Sequence, residues 1–189
     1  FFTGVTPLAE RPHRRQFEPP SHEALSSPQA GEHSLLGALW VSLSFILAYA
    51  VVGFAGITLQ SAQTGVTPVW PASGVAFALC FWFGARYAVL VIPAMLTLAW
   101  VLGVPLQVAL LAGVGSMLEA AFAAWLLRRL DIDASLMELR DTLLFAVIAT
   151  AAAPVFSASL GTLAMVIFTE NPIEPIYIWM MWWLGNSLG

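Results

Sequence analysis

Glu119 is the one acidic residue deep inside an apolar stretch of this chain. An ionisable group in hydrocarbon is expensive, so it faces a bundle interior or a wet cavity and has a partner. Two readings stand side by side. One is a ligand or proton site, the other a structural pair with Arg128 or Arg129, about two turns further along. Gly113, Ser116, Ala120 and Ala124 mark the same stretch with small residues at helical spacing, which lets another helix approach closely. Tyr177, Trp179, Trp182 and Trp183 form the densest aromatic group. They read as an interface belt or as the wall of an outer-facing pocket shared with Trp70. Asn186 lies three residues after Trp183, a hydrogen-bonding group on the same helical face. Gly185 and Gly189 make a GxxxG pair, a signal for helix contact. In Thr67–Gly74, TPVWPASG, Pro68 and Pro71 bracket Trp70. Proline fixes φ and donates no hydrogen bond, so irregular backbone leads into a helix that starts at Ser73 or at the turn around Pro71. Such a rigid aromatic loop at a membrane surface anchors a helix or receives a ligand.

No enzyme constellation is present: no HExxH, GxSxG, Walker loop, GxGxxG or placed Ser/His/Asp set. His13, His22 and His33 all fall in the polar N-terminal part, where solvated histidines are expected rather than a metal site. Cys80 is the single cysteine and lies in an apolar run, so neither a disulfide framework nor a thiolate site is expected. No catalytic residue, metal or cofactor is therefore assigned. All seven basic residues are arginines and net charge is -4. With no basic patch, a nucleic-acid partner is not expected.

Positioning these groups requires a membrane bundle. The chain is 59% hydrophobic and 10% charged, with mean hydropathy +0.83, against roughly 25% charged in soluble domains. No Asp, Glu, Lys or Arg occurs between Glu32 and Arg86. Residues 1–33, with proline, arginine and glutamate and few large apolar residues, predict a disordered tail. Spans are expected over about 34–59, 72–85, 88–102, 106–127, 142–168 and from about 177 onward, each judged against about 20 residues per crossing. The pair 72–85 and 88–102 is short, either a hairpin or a re-entrant pair. Pro154, within the fifth span, removes a hydrogen bond and predicts a kink. Thr150 precedes it by four, and Ser157 and Ser159 are placed to repair the freed backbone. The fold class is all-α: a polytopic transmembrane helix bundle with about six spans present, the last truncated. Placing the tail on the cytoplasmic side puts every arginine on that side, as the positive-inside rule asks. Phe1 at the start and an apolar aromatic run at the end suggest part of a longer polypeptide.

Three blocks resemble the MASE1 family, a membrane-associated sensor domain of bacterial signalling proteins. Pro68–Tyr87, PVWPASGVAFALCFWFGARY, is similar to its Trp-Pro-x-x-Gly block followed by Gly-x-Arg. Gly115–Leu130, GSMLEAAFAAWLLRRL, resembles its Gly-Asn-x-x-Glu-Ala and Leu-Leu-Arg-Arg block. Trp182–Gly189, WWLGNSLG, resembles its Trp-Trp-x-Gly-Asp-x-x-Gly block. Ser116 stands where the family often has Asn, and Asn186 where it often has Asp, so an acidic role at 186 is unavailable. The resemblance implies a full domain of about eight helices, about two of them beyond Gly189. It also implies a bacterial inner membrane location and a cytoplasmic output module, either a diguanylate cyclase/phosphodiesterase pair or a histidine kinase. That module would form a homodimer. The expected partners are the lipid bilayer and a small ligand or partner membrane protein of unknown identity. Trp70, Pro71, Ser73, Glu119, Trp182, Trp183 and Asn186 are the ligand-binding or signalling candidates, with Pro154 as a kink. Two further readings compete: a small-solute transporter or its binding subunit, and a purely structural dimerising anchor.

Overall fold

The computed structural model describes residues 28–58, 67–170 and 173–189, with only the backbone for residues 28–34. The expected tail through residue 27, with His13 and His22, and most of the polar loop after the first span lie outside the described residues. The described elements are all helical, with no strand among them: α1 (Pro28–Ile57), α2 (Ala72–Phe83), α3 (Val91–Leu102), α4 (Leu106–Arg129), α5 (Leu139–Phe145), α6 (Pro154–Phe168) and α7 (Pro175–Ser187). A 3-10 segment, Ala85–Leu90, leads into α3, and a π-helical segment, Ala146–Ala152, joins α5 to α6. The chain forms one unit up to Ala38 and a second from Leu39 to Gly189. Everything below concerns the second.

Four stretches are long and apolar enough to cross a bilayer: Leu35–Ile57, Ala85–Leu102, Leu106–Arg129 and Leu139–Phe168. The expected count of six is not reached on length. The 12 residues of α2 and the 13 of α7 rise only about 18–20 Å, against a hydrocarbon core of about 30 Å. Gly84, with φ 112, makes the turn after α2, and Gly103, with φ 70, ends α3 as a left-handed cap. The first helix starts at Pro28, a residue well tolerated there, and its apolar span, Leu35–Ile57, agrees with the one expected over about 34–59.

Small side chains face inward and large ones outward. The buried set is rich in alanine, for example Ala72, Ala76, Ala94, Ala120, Ala124 and Ala158, whereas Leu43, Leu47, Val51, Trp82, Trp100 and Val166 are exposed. In lipid no hydrophobic force drives helices together, so close backbone approach and internal hydrogen bonds do. Helix α4 is the hub, packing on α2, on α3 with its 3-10 lead-in, and on α6. Its small residues divide by face. Ala120 and Ala124 belong to the cluster with Phe45, Tyr49, Ala76 and Cys80, and Gly113 faces Met95. Gly115 faces α6, where an added Cβ would lie 2.8 Å from Ser157 Cα.

Pro154 does more than kink the helix. The ladder before it widens, with Ala153 N–H reaching Ile148 O at 2.9 Å, five residues back, a π-type bond. Thr150 Oγ1 donates to Ala146 O at 2.6 Å, and Trp183 Nε1 donates to Ala151 O at 2.9 Å. Repair therefore comes from Thr150 and from α7. Ser157 turns to Glu119, and Ser159 accepts from Trp179 Nε1 at 3.1 Å.

The charged linker after α4 is built around Asp141, which is buried. Its carboxylate accepts from Asp133 N–H at 3.1 Å and from Arg140 Nη1 at 3.0 Å, while Arg140 Nη2 reaches Leu130 O at 3.2 Å. The Ser135 N–H, 2.8 Å from Asp133 Oδ1, and the Ser135 hydroxyl hold the Asp133 carboxyl below its ordinary range.

Two outcomes are expected. Gly115→Val forces α4 from the α6 backbone and lowers stability by about 1–3 kcal/mol, as overpacking does, read by thermal unfolding in nanodiscs. Asp133 titrates by carbonyl NMR below the usual value of about 3.9. Its small stabilising contribution is full above that value and is lost as pH falls through the lowered one.

Candidate functional site

Glu119 is 6% exposed on α4, and one of its carboxyl oxygens accepts from neutral groups of two other helices. Ser157 Oγ of α6 donates to Oε2, and Asn186 Nδ2 of α7 donates to the same oxygen at 2.9 Å. Asn186 Nδ2 also lies 2.5 Å from Ser157 Oγ. One buried triad therefore ties α4, α6 and α7 together.

Arg128 and Arg129, the expected alternative partners, go elsewhere. Arg128 Nη1 reaches Phe81 O at 3.4 Å, and the Arg129 guanidinium lies 5.5 Å from the Trp125 ring centroid. They belong to the last turn of α4, where cations complement exposed carbonyls. Among the described residues no cation pairs with Glu119.

The TPVWPASG segment closes on α7. Trp70 N–H donates to Gly185 O at 2.8 Å. The Ser73 hydroxyl lies 2.9 Å from Trp70 O and 3.2 Å from Asn186 O, so it links segment and helix instead of capping α2. Pro71 holds the position before α2, which starts at Ala72. Gly185 makes this possible, since a Cβ there would fall 2.5 Å from Thr67 O. The GxxxG pair thus receives a loop: Gly185 meets Thr67, and Gly189 meets Trp70 and Ser73.

The aromatic group is divided between tasks. Trp179 and Trp183 stack at 6.3 Å with planes 5° apart, and Trp182 packs over Gly161 of α6. Tyr177 is exposed. Trp183 serves the π segment, whereas Trp182 and Trp70 line a common cavity. Of the aromatic group, Trp182 alone joins Trp70 in lining that cavity; Tyr177, Trp179 and Trp183 do not.

Two cavities meet at the triad. The first, about 140 Å³, lies among the end of α1, the Thr67–Trp70 stretch, α3, the start of α4, and Trp182 of α7. The second, about 150 Å³, contains Glu119, Ser73, Phe145, Thr150 and the last residues of the chain. Ser116 and Asn186 line both. Sequence reading missed Ser157 as a partner of Glu119, and it missed Tyr49. The latter is fully buried in α1, edge-on to Trp70 at 6.5 Å and 72°. Its hydroxyl forms no hydrogen bond of ordinary geometry, although Trp70 and Ser116 offer the nearest polar side chains. A tyrosine in an apolar helix is an ordinary core residue, so nothing in the sequence set it apart.

No group of metal-ligating side chains occurs among the described residues. What the arrangement can do chemically is hold a neutral hydrogen-bonding ligand beside a three-helix polar junction. Comparison with curated proteins and with solved structures finds no match. The MASE1 family model matches residues 41–189, which takes in α1 from Val41, the triad and both cavities. The chain belongs to the MASE1 family, the multi-pass, membrane-associated sensor domains of signalling proteins.

Proposed function

We propose that this domain detects an external or intramembrane signal and passes it to a cytoplasmic output module that follows it, a diguanylate cyclase/phosphodiesterase or a histidine kinase acting as a dimer. Its place is the bacterial inner membrane, with the N-terminus cytoplasmic. With α2 counted as a crossing, the arginines support that orientation: Arg86, Arg128, Arg129 and Arg140 then occupy helix connections or ends on the same face as the N-terminus.

The observation that carries the reading is the Glu119–Ser157–Asn186 triad. Its three members come from three helices, and α7 is both the last of them and the helix gripped by the Trp70 segment. A signal at the Trp70 end that changes how α7 meets the segment must also change the triad. Differential affinity for two such packings shifts their populations. The π segment beside α7 supplies backbone that repacks within one helix.

One observation favours a second reading, a small-solute transporter: two cavities meet at Ser116 and Asn186. Against it, Glu119 is the one deep acid, and the sequence has no internal repeat of the kind common in transporters.

Removing the Asn186 amide leaves buried acceptors unpaired, a change worth about 1–3 kcal/mol. In the full-length protein, Asn186→Ala and Glu119→Gln are each expected to change basal output or its stimulus response about fivefold or more. The readout is nucleotide product or autophosphorylation, with folding checked by thermal unfolding. Folded variants with unaltered output and response contradict the sensory reading. Saturable solute uptake by proteoliposomes favours the transporter.

A further inference from the structure

The 140 Å³ cavity has the chemistry of a ligand site. Its sides are Met95, Leu98 and Leu102 of α3, with Val108 and Ala112 of α4. Two indole rings, Trp70 and Trp182, complete the wall, and no charged side chain lines it among the described residues. Polar groups are few: Thr67 on the segment, then Ser116 and Asn186 at the boundary with the second cavity. This is the usual composition of a small-molecule pocket, mainly apolar with a few placed polar groups.

Size and charge limit the occupant. The pocket is partly open, and its volume of about 140 Å³ is close to that of a dry protein cavity that accepts benzene, about 150 Å³, so one six-membered ring with a short substituent fits. A charged ligand would lose its hydration against an uncharged wall at a large cost. Glu119 does not offset this, because it lies in the other cavity with Oε2 already engaged by Ser157 and Asn186. The polar boundary calls for one hydrogen-bonding group. Ser116 supplies a rotatable hydroxyl, both donor and acceptor, next to the fully buried Tyr49 phenol.

We infer that this cavity binds a small, uncharged, ring-sized molecule carrying one hydroxyl or similar group, its ring between Trp70 and Trp182 and its polar group on Ser116 and Asn186. Such a ligand touches the triad through Asn186 and the Trp70 segment directly. The inference rests on the sensory reading and names the class of signal it takes.

The test is ligand-observed fluorine NMR on the full chain in nanodiscs, with 4-fluorobenzyl alcohol as probe and fluorobenzene as the ring-only comparison. Empty nanodiscs define partitioning into lipid. The expected result is saturable binding of the alcohol, tighter than fluorobenzene by about fivefold. Ala112→Leu, which fills the cavity, weakens it about tenfold or more, and Val108→Phe serves if the first variant does not fold. Ser116→Ala removes the preference for the alcohol. Partitioning that never saturates, or that is equal in wild type and filled variants, overturns the assignment. So does a co-purified lipid that the probe fails to displace, since an acyl chain then occupies the cavity. Equal affinity for both probes overturns the polar contact. Failure here is separable from failure of the sensory reading, because output from the Glu119 and Asn186 variants is measured without any probe.

Discussion

A carboxylic acid surrounded by hydrocarbon has to find its hydrogen bonds inside the protein, and for Glu119 they come from helices 38 and 67 residues further along the chain. That requirement fixes much else. Ser157 reaches Glu119 because α4 and α6 touch at Gly115, where a side chain of any size would meet the α6 backbone. Asn186 reaches it because α7 lies against the Trp70 segment at Gly185. An unsatisfied polar group buried in lipid costs several kcal/mol, so α4, α6 and α7 are constrained as a set.

On the sensory reading proposed above, the same junction gives the domain a means of responding. No cation partners Glu119 among the described residues, so rearranging the triad does not leave a counter-charge buried alone. On one side of Asn186 is an apolar cavity walled in part by two indoles, and on the other a cavity that holds the acid itself. Trp183 links the same helix to the π segment preceding Pro154. Occupancy, α7 position and the state of the α6 backbone therefore share one element. On the same sensory reading, that element is where a change at the Trp70 end would be converted into altered helix packing.

Much of this was legible from residue order. The lone acid in an apolar run, the two-proline segment and the WWLGN block each singled out residues that the fold brings together: Glu119, Trp70, Ser73, Trp182 and Asn186. The partner of Glu119 was not legible. Sequence nearness points to Arg128 and Arg129, whereas the true partners depend on which helices touch. Ser157 therefore looked like repair for a proline kink. Pro154 shows that a backbone bond is lost, but not that the ladder widens over seven residues to accommodate it. GxxxG signals close approach without saying whether a helix or a loop approaches, and here it is a loop. Hydropathy located the apolar stretches well; four of them are long enough to cross, whereas α2 and α7 are apolar yet short.

The central claim is that Glu119 and Asn186 act as one unit joining α4 to α7. A double-mutant cycle tests it most directly: unfolding free energies of Glu119→Gln, Asn186→Ala and the double variant against wild type, in the same nanodiscs. The account predicts a coupling energy of about 1 kcal/mol or more, as groups in one buried network show. Effects that add to within about 0.3–0.5 kcal/mol, the behaviour of independent sites, would contradict it.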